Sequence, residues 1–193
     1  MPAVGGHRAT RLQWRLRLRT PLPHVADPCF SIGILARSTG RFPGYDFGFA
    51  VLDVGGNSGP PYLVENLGAQ AVQFSSGRNR KTAWAFGYPA AGKYTGADLV
   101  YCKGPLGTDP LNNKQTYRLG CDMTPGSSGG PWFQGFDETA GTGTVMSLNS
   151  YVYSGITAMH GPKFNSDTQA VYTAALGATI DTTPADNNVI VTP

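Results

Sequence analysis

The sequence is short of charge, of histidine and of long apolar runs. Only 14% of its residues are Asp, Glu, Lys or Arg, and it has three histidines. No apolar stretch approaches the roughly 20 residues a membrane-spanning helix needs, so no membrane association is expected. His, Cys and acidic residues nowhere cluster at ligand spacing, so neither a metal nor another cofactor is expected. Met1 is not followed by a basic segment and an apolar core, and no export signal is visible. No internal repeat is present. What helix-forming pattern exists is confined to one place late in the chain.

Glycine (26) and proline (15) are abundant, and 40% of the 193 residues are apolar. That is enough core for one domain, or for two small barrels sharing one. Period-two alternation over residues 12–19 (Leu12, Trp14, Leu16, Leu18 against Gln13, Arg15, Arg17, Arg19) predicts a half-buried strand. Further strands are expected at 29–36, 47–53, twice within 62–74, and at 83–88, 98–102, 115–121, 131–136 and 142–153. A long polar loop is expected over 104–114. Ser166-Asp167-Thr168-Gln169 reads as a capping box opening a helix, with Val171, Ala174 and Ala175 on its buried face and Gly177 as its stop. Residues 178–193 read as a loose tail. The fold class is therefore all-β with one late helix, and strands every 8–12 residues favour a sandwich or barrel. Residues 1–45 differ in composition: seven arginines (Arg8, Arg11, Arg15, Arg17, Arg19, Arg37, Arg41) face one acid, Asp27. A nucleic-acid arm and a transit peptide both fit an Arg-rich, acid-poor start. The segment has no lysine and lacks aromatic interleaving, so no nucleic-acid partner is expected.

Of the three cysteines, Cys102 and Cys121 stand in the glycine-rich half and Cys29 alone. A Cys102–Cys121 bridge would close a loop of about 20 residues, worth on the order of 3 kcal/mol by loop entropy, and would imply an oxidising compartment. Three buried thiols are the alternative. The sharpest feature is Gly126-Ser127-Ser128-Gly129-Gly130-Pro131. Flanking glycines let the backbone turn tightly around a serine and aim N–H groups at one point, where those of Gly126 and Ser128 could hold an oxyanion. The same residues fit Gly-x-Ser-x-Gly, the nucleophile elbow of esterases, with Asp137 and His160 following in the required order. That motif demands a helix straight after the serine. A bare Gly/Ser run can also be a plain turn.

Cys121 to Trp132 closely resembles the nucleophile segment of trypsin/chymotrypsin-like serine peptidases, most of all the bacterial secreted branch related to glutamyl endopeptidases. Phe86-Gly87-Tyr88-Pro89 resembles that branch's Gly-Tyr-Pro turn. Tyr45 to Leu52 resembles the segment of the catalytic aspartate, and Val145 to Tyr151 the strand lining the primary specificity pocket. The resemblance covers about residues 40–180. It implies two β-barrels and a C-terminal helix, with Ser128 as nucleophile, Asp46 as the carboxylate that orients a histidine, and Gly126 with Ser128 as oxyanion donors. Asp122, six residues before the nucleophile, would sit at the pocket floor, and Asn149, Ser150 and Tyr151 on its wall. The substrate class implied is a peptide or protein, the location extracellular, and the assembly a monomer.

The chain departs from the family in one respect that bears on activity. Nothing in it resembles the Thr-Ala-Ala-His-Cys segment that carries the family's histidine. His7 stands in a Gly-rich terminus, His24 too close to Asp46 and His160 after the serine, so the leading expectation is a chain without a catalytic histidine, with His24 as the candidate if one is present. Residues 1–45 also supply few strands, so an incomplete first barrel is expected. The organisation implied is an atypical Arg-rich segment (1–28), a partial first barrel (29–80), a second barrel with the nucleophile and the helix (81–180), and a tail (181–193). The functional expectation is a serine endopeptidase acting through an acyl-enzyme at Ser128, or a protease-like scaffold without catalysis that binds a peptide or partner.

Overall fold

The computed structural model describes residues 43–51, 68–75 and 81–177, together with the backbone of the strand residues 10–11, 32–38, 52 and 190–191. The expected strand at 12–19 lies outside the described residues. So do residues 62–67 of the expected strands within 62–74, Cys29, and His7 and His24.

Among the described residues there are twelve strands and one helix: β1 (Thr10–Arg11), β2 (Ile32–Ser38), β3 (Gly48–Leu52), β4 (Ala71–Val72), β5 (Thr82–Gly87), β6 (Val100–Pro105), β7 (Gly107–Thr108), β8 (Thr116–Gly120), β9 (Pro131–Asp137), β10 (Thr142–Leu148), β11 (Ala158–Pro162), α1 (Ser166–Leu176) and β12 (Ile190–Val191). They form a six-stranded sheet in the order β1-β6-β5-β9-β10-β4 and two three-stranded sheets, β11-β8-β7 and β12-β2-β3. The fold is mostly β with a late helix, as expected, and the described sheets do not close into barrels.

Strand β5 shows why these residues build a sheet buried on both faces. Ala83 and Ala85 point to the main core and have no exposed surface, while Trp84 and Phe86 point the other way and are also buried. The small side chains let Trp132, Met146, Leu119 and the Cys102–Cys121 disulfide fill the interior. The large ones pack against Tyr101, Phe133 and Phe136 outside it, Phe86 meeting Phe133 edge-on at 5.6 Å. The disulfide joins β6 to the start of the nucleophile segment. A second core lies where α1 covers β2 and β3. It is built on Phe47, Phe164, Val171 and Ala175, with Phe49, Phe74 and Tyr172 packed ring to ring around it.

The structure corrects the sequence reading at several points. The helix starts one residue early: Asn165, not Ser166, is the N-cap. Its side chain accepts from the Asp167 and Thr168 N–H groups, and Thr168, not Gln169, returns the bond to the cap. Gly177 does close the helix. The polar loop at 104–114 contains β7, paired with β8. An unforeseen strand, β11, pairs along the whole of β8. Strand β10 ends at Leu148 instead of running to Tyr153, because Asn149 leaves the ladder to bond the nucleophile loop. Within the tail, Ile190 and Val191 lie parallel to β2.

Candidate active site

Ser128 sits on a bend between Cys121 and β9, exposed, while its neighbour Ser127 is buried. The bend is bonded from three directions. Ser127 Oγ donates to the Thr124 carbonyl at 3.0 Å, and Gly130 N–H donates to the Ser127 carbonyl. Gly129 N–H donates to the Asn149 carbonyl at 2.9 Å, and Asn149 N–H donates to that of Gly130 at 2.8 Å. On the other flank the connection after β5 is joined to residues 124–125. Ala90 N–H donates to the Pro125 carbonyl, and Thr124 Oγ1 both accepts from Ala91 N–H and donates to its carbonyl.

Two positions admit only glycine. Gly126 has φ of 102°, and a Cβ there would come within 2.8 Å of Ala90. A Cβ on Gly130 would overlap the Phe86 carbonyl. The backbone can thus approach strand β5 closely enough to fix the serine's direction. Among the described residues, the N–H groups of Ser127, Gly129 and Gly130 find acceptors, whereas those of Gly126 and Ser128 and the Ser128 hydroxyl do not.

Asp46 belongs to a different part of the fold, the turn before β3. Its Oδ2 accepts a 2.6 Å hydrogen bond from Ser150 Oγ. Ser150 follows Asn149, whose carbonyl holds Gly129, so the carboxylate and Ser128 are supported by two consecutive residues of one strand end. The residues flanking Asp46 are anchored away from it. Tyr45 OH donates to Asp167 at 2.9 Å, and Phe47 is buried with its ring 6.1 Å from that of Phe164. Helix α1 and the segment that leads into it thus hold the two sides of the turn, and Asp46 is left exposed between them.

The residues expected to line a specificity pocket are arranged otherwise. Asn149 is 1% exposed and bonded throughout: its Nδ2 donates to the Phe86 and Ser127 carbonyls, and its Oδ1 accepts from Trp132 Nε1 at 2.7 Å. It braces the bend instead of facing a ligand, because leaving any of those buried groups unpaired would be costly. Ser150 holds Asp46. Tyr151 turns inward, its OH bonded to Asp109 Oδ2 and to Thr116 Oγ1, both at 2.7 Å, and its ring stacked on His160 at 4.9 Å. Asp122 is ion-paired with Lys93 and accepts from Tyr94 OH at 2.9 Å.

His160, the one imidazole among the described residues, is 1% exposed. It lies in a polar cluster that the sequence did not reveal: Asp109, fully buried, accepts from the hydroxyls of Tyr151 and Tyr153 and from Leu111 N–H, and its Oδ1 stands 3.9 Å from His160 Nε2. Burial holds the imidazole pKa below its ordinary value, against the pull of Asp109. Burial alone would push Asp109 up, but the Tyr151, Leu111 and Tyr153 hydrogen bonds and His160 together bring it below the ordinary range. His160 Nδ1 has no hydrogen-bond partner among the described residues.

An esterase elbow is excluded by the local structure, since Ser128 is followed by strand β9 and not by a helix. Among the described residues no three His, Cys, Asp or Glu side chains come together as a metal site, and no helix is long and apolar enough to cross a membrane.

Neither protein-family models nor curated proteins give a match. Solved structures do. The protease Anisep from Arthrobacter nicotinovorans is 36% identical, covering 70% of this chain and 59% of its own, with a TM-score of 0.61. The thermostable serine protease AL20 from an extremophilic microorganism is 35% identical over 70% of this chain and 60% of its own, also at 0.61. A Glu endopeptidase, at 17% identity and a TM-score of 0.52, shares the fold alone. This chain thus spans about three-fifths of the length of the two proteases it matches at over 30% identity. In fold and in sequence, the chain is similar to serine proteases of the trypsin/chymotrypsin type.

Proposed function

We propose that the protein is a serine endopeptidase-like protein whose chemistry centres on Ser128. In this reading a base takes the hydroxyl proton as the serine oxygen attacks a peptide carbonyl. The N–H groups of Gly126 and Ser128 stabilise the oxyanion, the base returns its proton to the departing amine, and water hydrolyses the acyl-enzyme. Asp46 would orient the imidazole of the base, itself held by Ser150. The observation that carries the reading is the exposed Ser128 hydroxyl on a bend where it and the N–H groups of Gly126 and Ser128 are unbonded among the described residues, with Asp46 held by Ser150, the residue after Asn149, which braces the bend. His24 is the candidate base. The Cys102–Cys121 disulfide fits an extracellular setting.

A second reading, a protease-like scaffold that binds a peptide without cleaving it, draws on His160. That imidazole is sealed in a cluster with Asp109 and two tyrosines and is not exposed toward Ser128. Recognition of basic side chains by Asp122 would, in either reading, have to displace Lys93.

Fluorophosphonate labelling of the full chain separates the two. Labelling lost in Ser128→Ala and in His24→Ala supports catalysis with His24 as base. A folded protein that takes up no label supports the scaffold.

A further inference from the structure

The buried imidazole that the proposed chemistry leaves unused is tied to the carboxylate that it does use. The His160 carbonyl accepts from Ser150 N–H at 2.9 Å and from Tyr151 N–H at 3.2 Å, and His160 N–H donates to the Tyr151 carbonyl at 2.9 Å. Ser150 Oγ in turn donates to Asp46 at 2.6 Å. A single residue, Ser150, thus joins His160 to Asp46. The His160 ring is stacked on that of Tyr151 at 4.9 Å and meets Tyr153 edge-on at 5.0 Å.

This enclosure suits the neutral ring alone. In the imidazolium both nitrogens carry a proton and both must donate. Nδ1 has no acceptor among the described residues, and Asp109 Oδ1 stands 3.9 Å from Nε2, beyond hydrogen-bond reach. Asp109 is moreover engaged already, Oδ1 by Leu111 N–H and Oδ2 by the hydroxyls of Tyr151 and Tyr153. Of the charged groups around the ring, Asp109 favours a cation there, while Arg118, opposite His160 on β8, disfavours it. The two tyrosines are the other titratable groups packed on it, and their hydroxyls are turned to Asp109. Burial outweighs the attraction of Asp109 and keeps the pKa below its ordinary value. To hold a proton the ring must leave its stack, which disturbs Tyr151 and the backbone bonds that fix Ser150.

We infer that His160 is a positioning residue for Asp46: its neutral ring keeps the Ser150–Asp46 contact in place, and uptake of a proton releases it. The inference rests on the proposed role of Asp46 for its functional meaning, since a carboxylate freed from Ser150 loses its aim. The contact itself is read out without any catalytic activity.

The test is NMR of the full chain with amide hydrogen exchange, from about pH 8 to about pH 5, the range in which histidine changes charge. The His160 ring, the Ser150 amide and the Asp46 carboxyl carbon are expected to shift with one shared midpoint below 6.5. Ser150 exchange, corrected for its intrinsic pH dependence, should rise about tenfold for each pH unit below the ordinary histidine value until the ring is protonated. The amides of β5 should not change. In His160→Phe, which keeps an aromatic ring and cannot titrate, Ser150 exchange should stay flat across the range. A ring that titrates while Ser150 and Asp46 stay still overturns the inference. So does a rise in β5 exchange in step with Ser150, which would mean global unfolding, and so does a rise that persists in His160→Phe. If that variant fails to fold, the shared midpoint in the unmutated chain decides. Fluorophosphonate labelling near neutral pH is scored separately. A chain that labels but shows no shared midpoint defeats this inference alone, and one that shows it but takes no label defeats only the catalytic reading.

Discussion

The bend that carries Ser128 and the turn that carries Asp46 are held in place by opposite means. The bend is held by hydrogen bonds through Asn149, Thr124, Ala90 and the backbone of Gly129 and Gly130, and glycines allow the approach. The turn is held by rings. Phe47 against Phe164, Tyr45 against Phe47, and the neighbouring Phe49 and Tyr172 supply the packing, with one hydrogen bond to Asp167 and one to Ser150. Hydrogen bonds dictate direction to a fraction of an ångström, which a nucleophile and its anion donors require. Ring packing dictates position more loosely, and the final aim of the carboxylate is left to a single serine. The same molecule thus places geometric precision on the side where a bond would form and bulk on the side that would only steer.

The contrast is open to measurement. The largest effect is expected from Asn149→Leu, which strands two buried carbonyls and the Trp132 N–H. At about 1–3 kcal/mol for each unsatisfied group, the loss should exceed about 3 kcal/mol in urea unfolding. A loss below about 1 kcal/mol, the scale of a single hydrogen bond, would mean the bend does not depend on this residue. Replacing Cys102 and Cys121 by alanine should cost on the order of 3 kcal/mol by the loop-entropy model. Because the bridge ends beside the nucleophile segment, hydrogen exchange should rise in residues 121–130 while the turn at 45–47 stays as protected as before; a uniform rise would erase the distinction.

Acid should weaken the Asp109–His160 cluster in two stages. His160 has a lowered folded pKa, so the unfolded chain binds the extra proton first. Its contribution is full above its ordinary value of 6.5 and is lost as pH falls below that value towards the folded one. Asp109, also lowered, contributes fully above its ordinary value of 3.8 and loses that contribution as pH falls further. His160→Phe should remove the first stage of the stability profile and leave the second; an unchanged profile would reject the assignment. The smallest effect is expected of Tyr45→Phe, about 0.5–1.5 kcal/mol for one hydrogen bond with the ring packing kept. A loss several times larger would show that the turn depends on polar anchoring after all.

Local chemistry was legible in the sequence; chemistry assembled from afar was not. The Ser128 bend reads directly because Gly126, Gly130 and the serine are neighbours in the chain. The role of Ser150 was hidden because its partner Asp46 lies 104 residues away. Asn149 and Tyr151 read as pocket-wall residues, since their position on the strand is visible but not the direction in which a strand leaving its ladder will turn them. Strand β11, Ala-Met-His-Gly-Pro, is buried at every position and therefore shows no alternation to detect. The helix start offered two frames, and tertiary contact chose between them: Thr168 is fully buried and Asp167 is claimed by Tyr45, which sets Asn165 at the cap.

The loop between β7 and β8 gives the disulfide a second consequence. Leu111 there is 65% exposed, and Asn113 and Lys114 hold left-handed backbone that only turns tolerate readily. Such a tip is an open target for a protease that cuts after lysine, and it lies inside the ring closed by Cys102 and Cys121. A chain nicked after Lys114 therefore stays one covalent molecule until it is reduced. On a denaturing gel it migrates intact without reductant and as two pieces with it.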